Sequence, residues 1–299
     1  MLEVRRLVLL RELGARGSIA AVSRSVGISS SAISQQLAKL EDEVGLRLLE
    51  QVGRHVHLTQ AGRQLVRTAD QVVAVLEDAE AELERRRSRV QGVVRLAAFS
   101  TFALRYLPDV VRRLAETHPD VVLEFDQLEP AAALDVVTGR RADIAVIDEY
   151  PHSPRRVDSE VRRFHLLRDG FTVFVPHEVG SIHELARLPW VFEPAESDAA
   201  HWARRLCREA GFEPIVRFES PDLRLHHGLA VAGVAAALLP DMLFGGSSVP
   251  LQEPTYRFDW PQSSVTELHR DVYAVIRPGA QNRPAVAAVL GHLQAPSAP

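Results

Sequence analysis

Lysine and cysteine are each almost missing: Lys39 is the sole lysine and Cys207 the sole cysteine among 299 residues. A single cysteine excludes an intramolecular disulfide and argues against a cysteine-based metal site. No apolar run approaches the roughly 20 residues needed to span a bilayer. The opening MLEVRRLVLLRELGARGS interrupts its leucines with Arg5, Arg6, Arg11 and Glu12, unlike a secretory signal. No Gly-rich phosphate loop, nucleophile elbow or acid–base pair appears, so no catalytic residue is assigned. His226 and His227 adjoin on a helical stretch without metal-ligand spacing, and Cys207 reads as a small packed residue. These absences describe a cytoplasmic protein that is not an enzyme, has no membrane segment, and needs neither metal nor cofactor.

What remains is ordinary for a folded chain, with a hydrophobic share of 46% and a charged share of 25%. The net charge of −4 hides an uneven distribution. Residues 1–90 carry 14 basic and 12 acidic side chains, and the rest carries 21 and 27. That asymmetry favours a polyanion partner for the N-terminal part. The near-exclusive use of arginine is read first as a compositional bias of the source.

The apolar spacing predicts a helix over Leu2–Leu13, with Leu2, Leu9, Leu10 and Leu13 inward, stopped by Gly14 and Gly17. Ser18 can cap a second helix, Ile19–Val26, and Gly27 sits where positive φ is needed. Ser29 or Ser30 then caps the helix of ISSSAISQQLAKLE. Ile33, Leu37, Leu40 and Val44 form its buried stripe, which gathers Ser31, Ser34, Gln35, Ala38 and Lys39 on the opposite face. Two short helices and a tight turn, the second presenting Ser and Gln, describe a helix-turn-helix. Gln pairs with adenine, Ser with several base edges, and Lys with guanine or phosphate. A helical hairpin with a polar outer face fits the same spacing equally well.

The following stretch weighs towards DNA. LEQVGRHVHLT reads as a β-ribbon wing, with Arg54 at its tip and His55 and His57 beside it. Thr59 caps a long helix in which Leu65, Ala69, Val72, Leu76, Ala79 and Leu83 step by four and three. That heptad seam, on a helix about 45 Å long, implies a partner helix from a second copy. A two-fold oligomer carrying two such units suits a pseudo-palindromic duplex. Candidate DNA contacts are Ser18, Ser29, Ser30, Ser31, Ser34, Gln35, Lys39, Arg54, His55 and His57.

The run SIAAVSRSVGISSSAISQQLAKLEDEVGLRLLEQVGRHVHLTQAG resembles the DNA-binding domain of bacterial LysR-type transcriptional regulators. The likeness rests on Ala20-Ala21, Ala32, Ser34-Gln35-Gln36, Leu40-Glu41, Gly45, Leu48, Gly53-Arg54, Leu58-Thr59 and Ala61-Gly62. It implies a winged helix-turn-helix over residues 1–58, a dimerising linker helix over 59–90, and an effector-binding domain over 91–299. The family often has Gln-Pro where this chain has Ser30-Ser31. It often has Arg at the positions of Ala38 and Gln51, and frequently at His55 and His57. Three missing phosphate contacts would make the salt dependence of binding shallower by about three units of log–log slope.

In the last two hundred residues strands alternate with helices, which predicts a parallel sheet covered on both faces. VVRLAAF, VVLEF, Asp143–Ile147, GFTVFVP, PWVFEP, IVRFES, VAAALLP and HRDVYAVIR read as strands. A helix from Ala103 to His118 and others through EPAAALDVV, SIHELARL, DAAHWARRLCREAG, PDLRLHHGLAVAG and PAVAAVLGHL lie between or after them. The chain crosses between two subdomains near 163–168 and returns near 264–272, giving subdomain I (about 91–165 and 268–299) and subdomain II (about 166–267). This resembles the family's effector domain, of the periplasmic-binding-protein type, in LPDVVRRLAETHPDVVLEF, GRRADIAV, AGFEPIVRFES and LAVAGVAAALLP. The resemblance implies a small-molecule effector held between the subdomains. Candidates are Ser100, Thr101, Gln127 and Asp148 from the first, and Phe192, Ser197, His201 and Ser220 from the second. The serines serve equally well as helix caps. With no clear Arg clamp in this set, the reading leans against a strongly anionic effector.

The combined expectation is a homodimeric or homotetrameric regulator binding double-stranded DNA and a small molecule. Two other readings stay open at this point. One is a solute-binding or enzymatic α/β module with a helical oligomerisation arm, and the other is an architectural DNA binder without an effector.

Overall fold

A computed structural model of the chain describes residues 2–52, 55–85, 89–153, 161–244, 251, 253–261 and 268–294. Backbone packing divides it into two units, residues 1–88 with 282–284, and residues 89–281 with 285–299.

The first unit runs α1 (Val4–Arg16), α2 (Ile19–Val26), α3 (Ser30–Val44), β1 (Leu49–Val52), β2 (His55–Leu58) and α4 (Gln60–Arg85). Its local signals act as their chemistry requires. The hydroxyls of Ser18 and Ser29 accept from the N–H groups of Ala21 and Ala32, and Gly17, Gly27 and Gly45 end α1, α2 and α3 at φ near +70°. Leu7, Leu10, Leu13, Val22, Ile33, Leu37, Leu40 and Leu48 join into one core. Two expectations need correction. Leu2 is exposed, ahead of α1. Gly14 does not stop that helix; it lies inside it, where an added Cβ would meet Leu58 Cδ1 at 3.1 Å.

The wing is tied to its neighbours by two polar side chains. Glu41 of α3 accepts from the N–H groups of Leu48 and Leu49 at 2.7 and 3.0 Å, holding the start of β1. Thr59 donates to the Arg47 carbonyl at 2.8 Å and accepts from Gly62 N–H at 3.0 Å, so one hydroxyl caps α4 and closes the hairpin base. β1 and β2 pair antiparallel from Leu49–Leu58 to Val52–His55. The Gly53-Arg54 tip lies outside the described residues.

The second unit begins with β3 (Gly92–Ala98), α5 (Ser100–Thr117), β4 (Val121–Gln127), α6 (Pro130–Thr138) and β5 (Ile144–Glu149). It continues with β6 (Arg162–Val175), α7 (Ile182–Leu185), β7 (Pro189–Phe192), α8 (Asp198–Glu209), β8 (Ile215–Glu219) and α9 (Leu223–Val231). β9 (Ala236–Pro240), β10 (Tyr256–Phe258), β11 (His269–Ile276) and α10 (Pro284–Gln294) complete it. The strands form one sheet in the order β4-β3-β5-β11-β6-β9-β7-β8, with β10 against β6.

That sheet corrects the expectation of an all-parallel arrangement. β3 is parallel to β4 and β5, and β7 to β8 and β9, but β11 runs antiparallel to β5 and β6, and β6 antiparallel to β9. The crossings between subdomains are therefore strands. β6 spans 14 residues, pairing with β11 up to Gly170 and with β9 from Phe171. α5 also begins three residues earlier than expected, at Ser100.

Alternation along the strands sends side chains to cores on both faces. Ile144 and Val146 join the cluster that includes α5 and α10 residues, whereas Ala145 and Ile147 join that of α6. In the second subdomain Trp190 and Phe192 pack with α8, and Val191 with α9. This is the parity rule of a doubly covered sheet.

One close approach gives a test. A Cβ on Gly62 would lie 2.2 Å from the backbone oxygen of Leu48. Gly62→Ala is expected to destabilise the N-terminal unit by about 1–3 kcal/mol, read by denaturant titration, because the obstacle is backbone.

Candidate functional sites

The outer face of α3 is exposed at Ser31, Ser34, Gln35, Ala38 and Lys39, while Ile33, Leu37 and Leu40 are buried beneath it. Its serines are partly engaged with their own helix. Ser34 donates to the Ser30 carbonyl at 2.9 Å, and Ser29 and Ser31 share a contact of 3.1 Å. Each hydroxyl keeps lone pairs for another donor. Ser30 is exposed and Ser18 half-buried, and the caps of α2 and α3 are Ser18 and Ser29. On the wing, His57 is exposed. Arg54 and the side chain of His55 lie outside the described residues.

The heptad seam of α4 splits in two. Ala69 is fully buried, and it and Leu65 belong to the core of their own unit. This corrects the assignment of Ala69 to an intersubunit seam, while Leu65 is half-buried. Further along, Leu76 and Leu83 stay 44% and 64% exposed, with Ala79 also exposed and Val72 half-buried. Val75, outside the predicted seam, is 68% exposed. An apolar surface of that extent on one helix is a cost in water unless something covers it.

Between the two subdomains lies a cavity of about 280 Å³. Phe99, Ser100, Thr101, Glu129 and Asp148 line it from one side, and Glu193, Ser197, Asp198 and Leu223 from the other. Four helix starts converge here, those of α5, α6, α8 and α9. The α8 start is capped by Ser197, and Asp222 accepts from Arg224 N–H at the start of α9. Phe99 and Glu129 occupy the N-cap positions of α5 and α6 without a side-chain cap bond.

The floor is built around Arg270 of β11, which is 3% exposed. Its Nε donates to Asp169 Oδ2 at 2.9 Å, one terminal nitrogen to Asp148 Oδ2 at 3.0 Å, and the other to Thr101 Oγ1 at 2.9 Å. The guanidinium lies near the rings of Phe99 at 4.8 Å and Phe171 at 5.5 Å. Tyr150 donates to Asp148 at 3.2 Å and packs on Trp202 of the second subdomain. Asp169 also accepts from Met242 N–H at 2.9 Å. Two carboxylates, one hydroxyl and two rings thus satisfy one cation. Removing a partner from such a buried arrangement costs about 3–5 kcal/mol, mostly for the charge left behind.

Glu193 is treated differently. Its side chain is half-buried and lines the cavity, yet its carboxyl makes no hydrogen bond or ion pair among the described residues. Burial, then the charges of Asp148 and Glu129, push its pKa up to about 8, against a smaller opposing pull from Arg270.

These geometries can be set beside known proteins. The profile of the LysR substrate binding domain matches residues 87–297, and that of the bacterial regulatory helix-turn-helix protein, lysR family, matches residues 4–63. The chain is a LysR-type transcriptional regulator. Among relatives of this regulator, the transcriptional dual regulator GltC of Bacillus subtilis (strain 168) is 24% identical over 85% of this chain and 87% of its own length. ClcR of Pseudomonas putida is 26% identical over 89% and 88%. A full-length OxyR variant from Pseudomonas aeruginosa has the same fold at a TM-score of 0.70 and 16% identity, covering 99% of this chain and 96% of that one. CbnR solved with its target DNA gives 0.55 and 17%, covering 99% and 100%. The regulator therefore pairs a DNA-binding helix-turn-helix with an effector-binding domain, and it is no enzyme.

Of the cleft residues expected for this regulator, Ser100, Thr101, Asp148 and Ser197 line the cavity. The other four lie off it. Gln127 is exposed at the end of β4, and His201 is exposed on α8. Phe192 is turned by strand parity into the α8 core. Ser220 accepts from Asp222 N–H at 3.0 Å and its carbonyl receives His226 Nε2 at 2.8 Å, so it shapes a loop. Arg270, Tyr150, Glu193 and Glu129 were missed. Glu129 stood in plain view before a predicted helix; the other three carry no local signal.

The raised pKa of Glu193 has a testable sign. Folding favours the protonated carboxyl, so this group's contribution to stability is full below its ordinary pKa of 4.5 and is lost as pH rises through about 8. The melting temperature of Glu193→Gln relative to wild type is expected to rise between pH 5 and pH 9, measured by calorimetry in one buffer series.

Proposed function

We propose that the regulator reads DNA bases with Ser31, Ser34, Gln35 and Lys39 of α3, steadied by Ser18, Ser29, Ser30 and the wing residues Arg54, His55 and His57. The observation that carries this reading is the α3 face itself, solvent-exposed, uncharged except at Lys39, and backed by a packed core. A helix exposed merely to water gains more from Glu and Lys than from Ser and Gln. Short hydrogen-bonding side chains suit base edges in a major groove. The regulator acts in the cytoplasm, where its operator lies; among the described residues no helix is long and apolar enough to cross a membrane.

Its oligomer is built on the exposed part of α4, through Leu76, Ala79 and Leu83 with Val72 and Val75. The effector occupies the cleft over Arg270 and favours one closure of the two subdomains. The oligomer then alters the spacing of its wings and the half-sites they engage. Only a difference in effector affinity between two states is required. A cysteine-based redox signal is not supported: Cys207 is buried on the inner face of α8, and burial pushes its thiol up to about 12, far from a reactive thiolate.

Duplexes from upstream of the regulator's own gene test the DNA reading by mobility shift across a salt series. Gln35→Ala is expected to cost about 1–3 kcal/mol at the specific site and little elsewhere. Absence of salt-sensitive, sequence-selective binding there and at neighbouring promoters would sink it. For the oligomer, Leu76→Glu with Leu83→Glu is expected to lower the sedimenting mass and weaken binding to two-half-site DNA; an unchanged mass refutes the α4 assignment.

A further inference from the structure

We infer that the effector carries a protonated amine, and that the Glu193 carboxylate is its anchor in the cleft. This rests on the cleft being the effector site. The wall around Glu193 supplies the argument. Glu129 faces it from the start of α6, Asp148 and Tyr150 from the end of β5, and Arg270 from β11. Glu196 and Asp198 follow on its own segment and line the same cavity.

Arg270 is the one basic residue lining that cavity among the described residues, and it offers an incoming anion little. Asp148 and Asp169 already hold its charge at 3.0 and 2.9 Å, and the pair together exceed it by one negative charge. A carboxylate entering there would have to displace ligands that are themselves buried, or sit beside them.

Helix dipoles are the strongest counter-argument, because four helices begin at the cavity and each start is worth about half a positive charge. Three of them carry a carboxylate of their own, at Glu129 for α6, Asp198 for α8 and Asp222 for α9. α5, with Phe99 at its N-cap and no acid in its first turn, has none. One half-charge does not balance this wall.

Glu193 is the group whose needs are unmet. A half-buried carboxyl that lines a cavity beside Asp148 and Glu129, with no donor among the described residues, keeps its proton or waits for a cation, since desolvation and like charge both penalise the bare anion. An ammonium within hydrogen-bond distance would supply both the charge and the donors. Its N–H groups would find Glu193 on one side and the remaining lone pairs of the Asp148 region on the other. The apolar wall of Phe99 and Leu223 leaves room for a carbon skeleton beyond the amine. With its pKa raised to about 8, Glu193 is mostly protonated at pH 7, so docking of an already protonated amine expels that proton to solvent.

The test uses the full-length protein and three probe sets matched in size to the cavity, namely primary amines, the corresponding uncharged amides, and the corresponding carboxylates. Thermal shift ranks them, and titration calorimetry at pH 7 in buffers of different ionisation enthalpy measures affinity and protons. The amines are expected to raise the melting temperature and to release a proton on binding. Glu193→Gln should weaken them at least tenfold, and Glu193→Asp, which keeps the charge on a shorter arm, should fall between. Stabilisation by the carboxylates, no stabilisation by the amines, or amine affinity unchanged in Glu193→Gln each overturns the inference. Operator mobility shifts on the same variants separate the two readings: retained DNA binding with failed amine binding removes the amine alone, whereas lost DNA selectivity in the wild type removes the regulator reading.

Discussion

A buried guanidinium cannot be left alone, and the architecture of the effector domain follows from where its counter-charges had to be placed. Arg270 stands on β11, Asp169 on β6, Asp148 at the end of β5 and Thr101 in the first turn of α5. Taking such ions out of water costs several kcal/mol apiece, so the four elements are stable only in a register that brings these groups together. The two strands that join the subdomains are thus locked to one another at the bottom of the cleft. Tyr150 extends the lock by donating to Asp148 while its ring packs into the second subdomain.

That same lock decides the electrostatic character of the cavity. A lone arginine in a cleft ordinarily signals an anion, but here its charge is consumed before a ligand arrives. The carboxyl that remains unserved, Glu193, lies across the cavity on the other subdomain. Helix α3 makes the opposite choice, keeping its outer face almost uncharged and leaving acidic Asp42 and Glu43 for its far end.

Much of this was readable from residue order, where the relevant physics is local. Ser18 caps α2, the Ser29-Ser30 pair holds the cap of α3, Gly27 turns, Thr59 opens α4, and the α3 stripe buries Ile33, Leu37 and Leu40, because each depends on neighbours within a few positions. The crossing strand β6 was read too short, since RRFHLLRD carries alternating charge that resembles a loop, although Arg168 pairs there with Asp271 of β11. Arg270 was invisible for a different reason. Its partners lie 101, 122 and 169 residues away, and nothing within its own segment distinguishes it from a surface arginine. Glu193 shares that difficulty, and Phe192 beside it shows how one step along a strand separates a cavity wall from a core.

The hairpin base deserves a mechanical reading. With Thr59 bridging Arg47 and Gly62, and Gly62 pressed against the Leu48 carbonyl, the wing and α4 are welded at their junction. A helix of 26 residues is about 39 Å long, so it behaves as a lever arm with the wing fixed at one end. Tilting that arm by about 10° sweeps the wing through roughly 7 Å, close to the rise of two base pairs. Any tilt of α4 is thereby carried through to the wing, with no bending needed at the hairpin base.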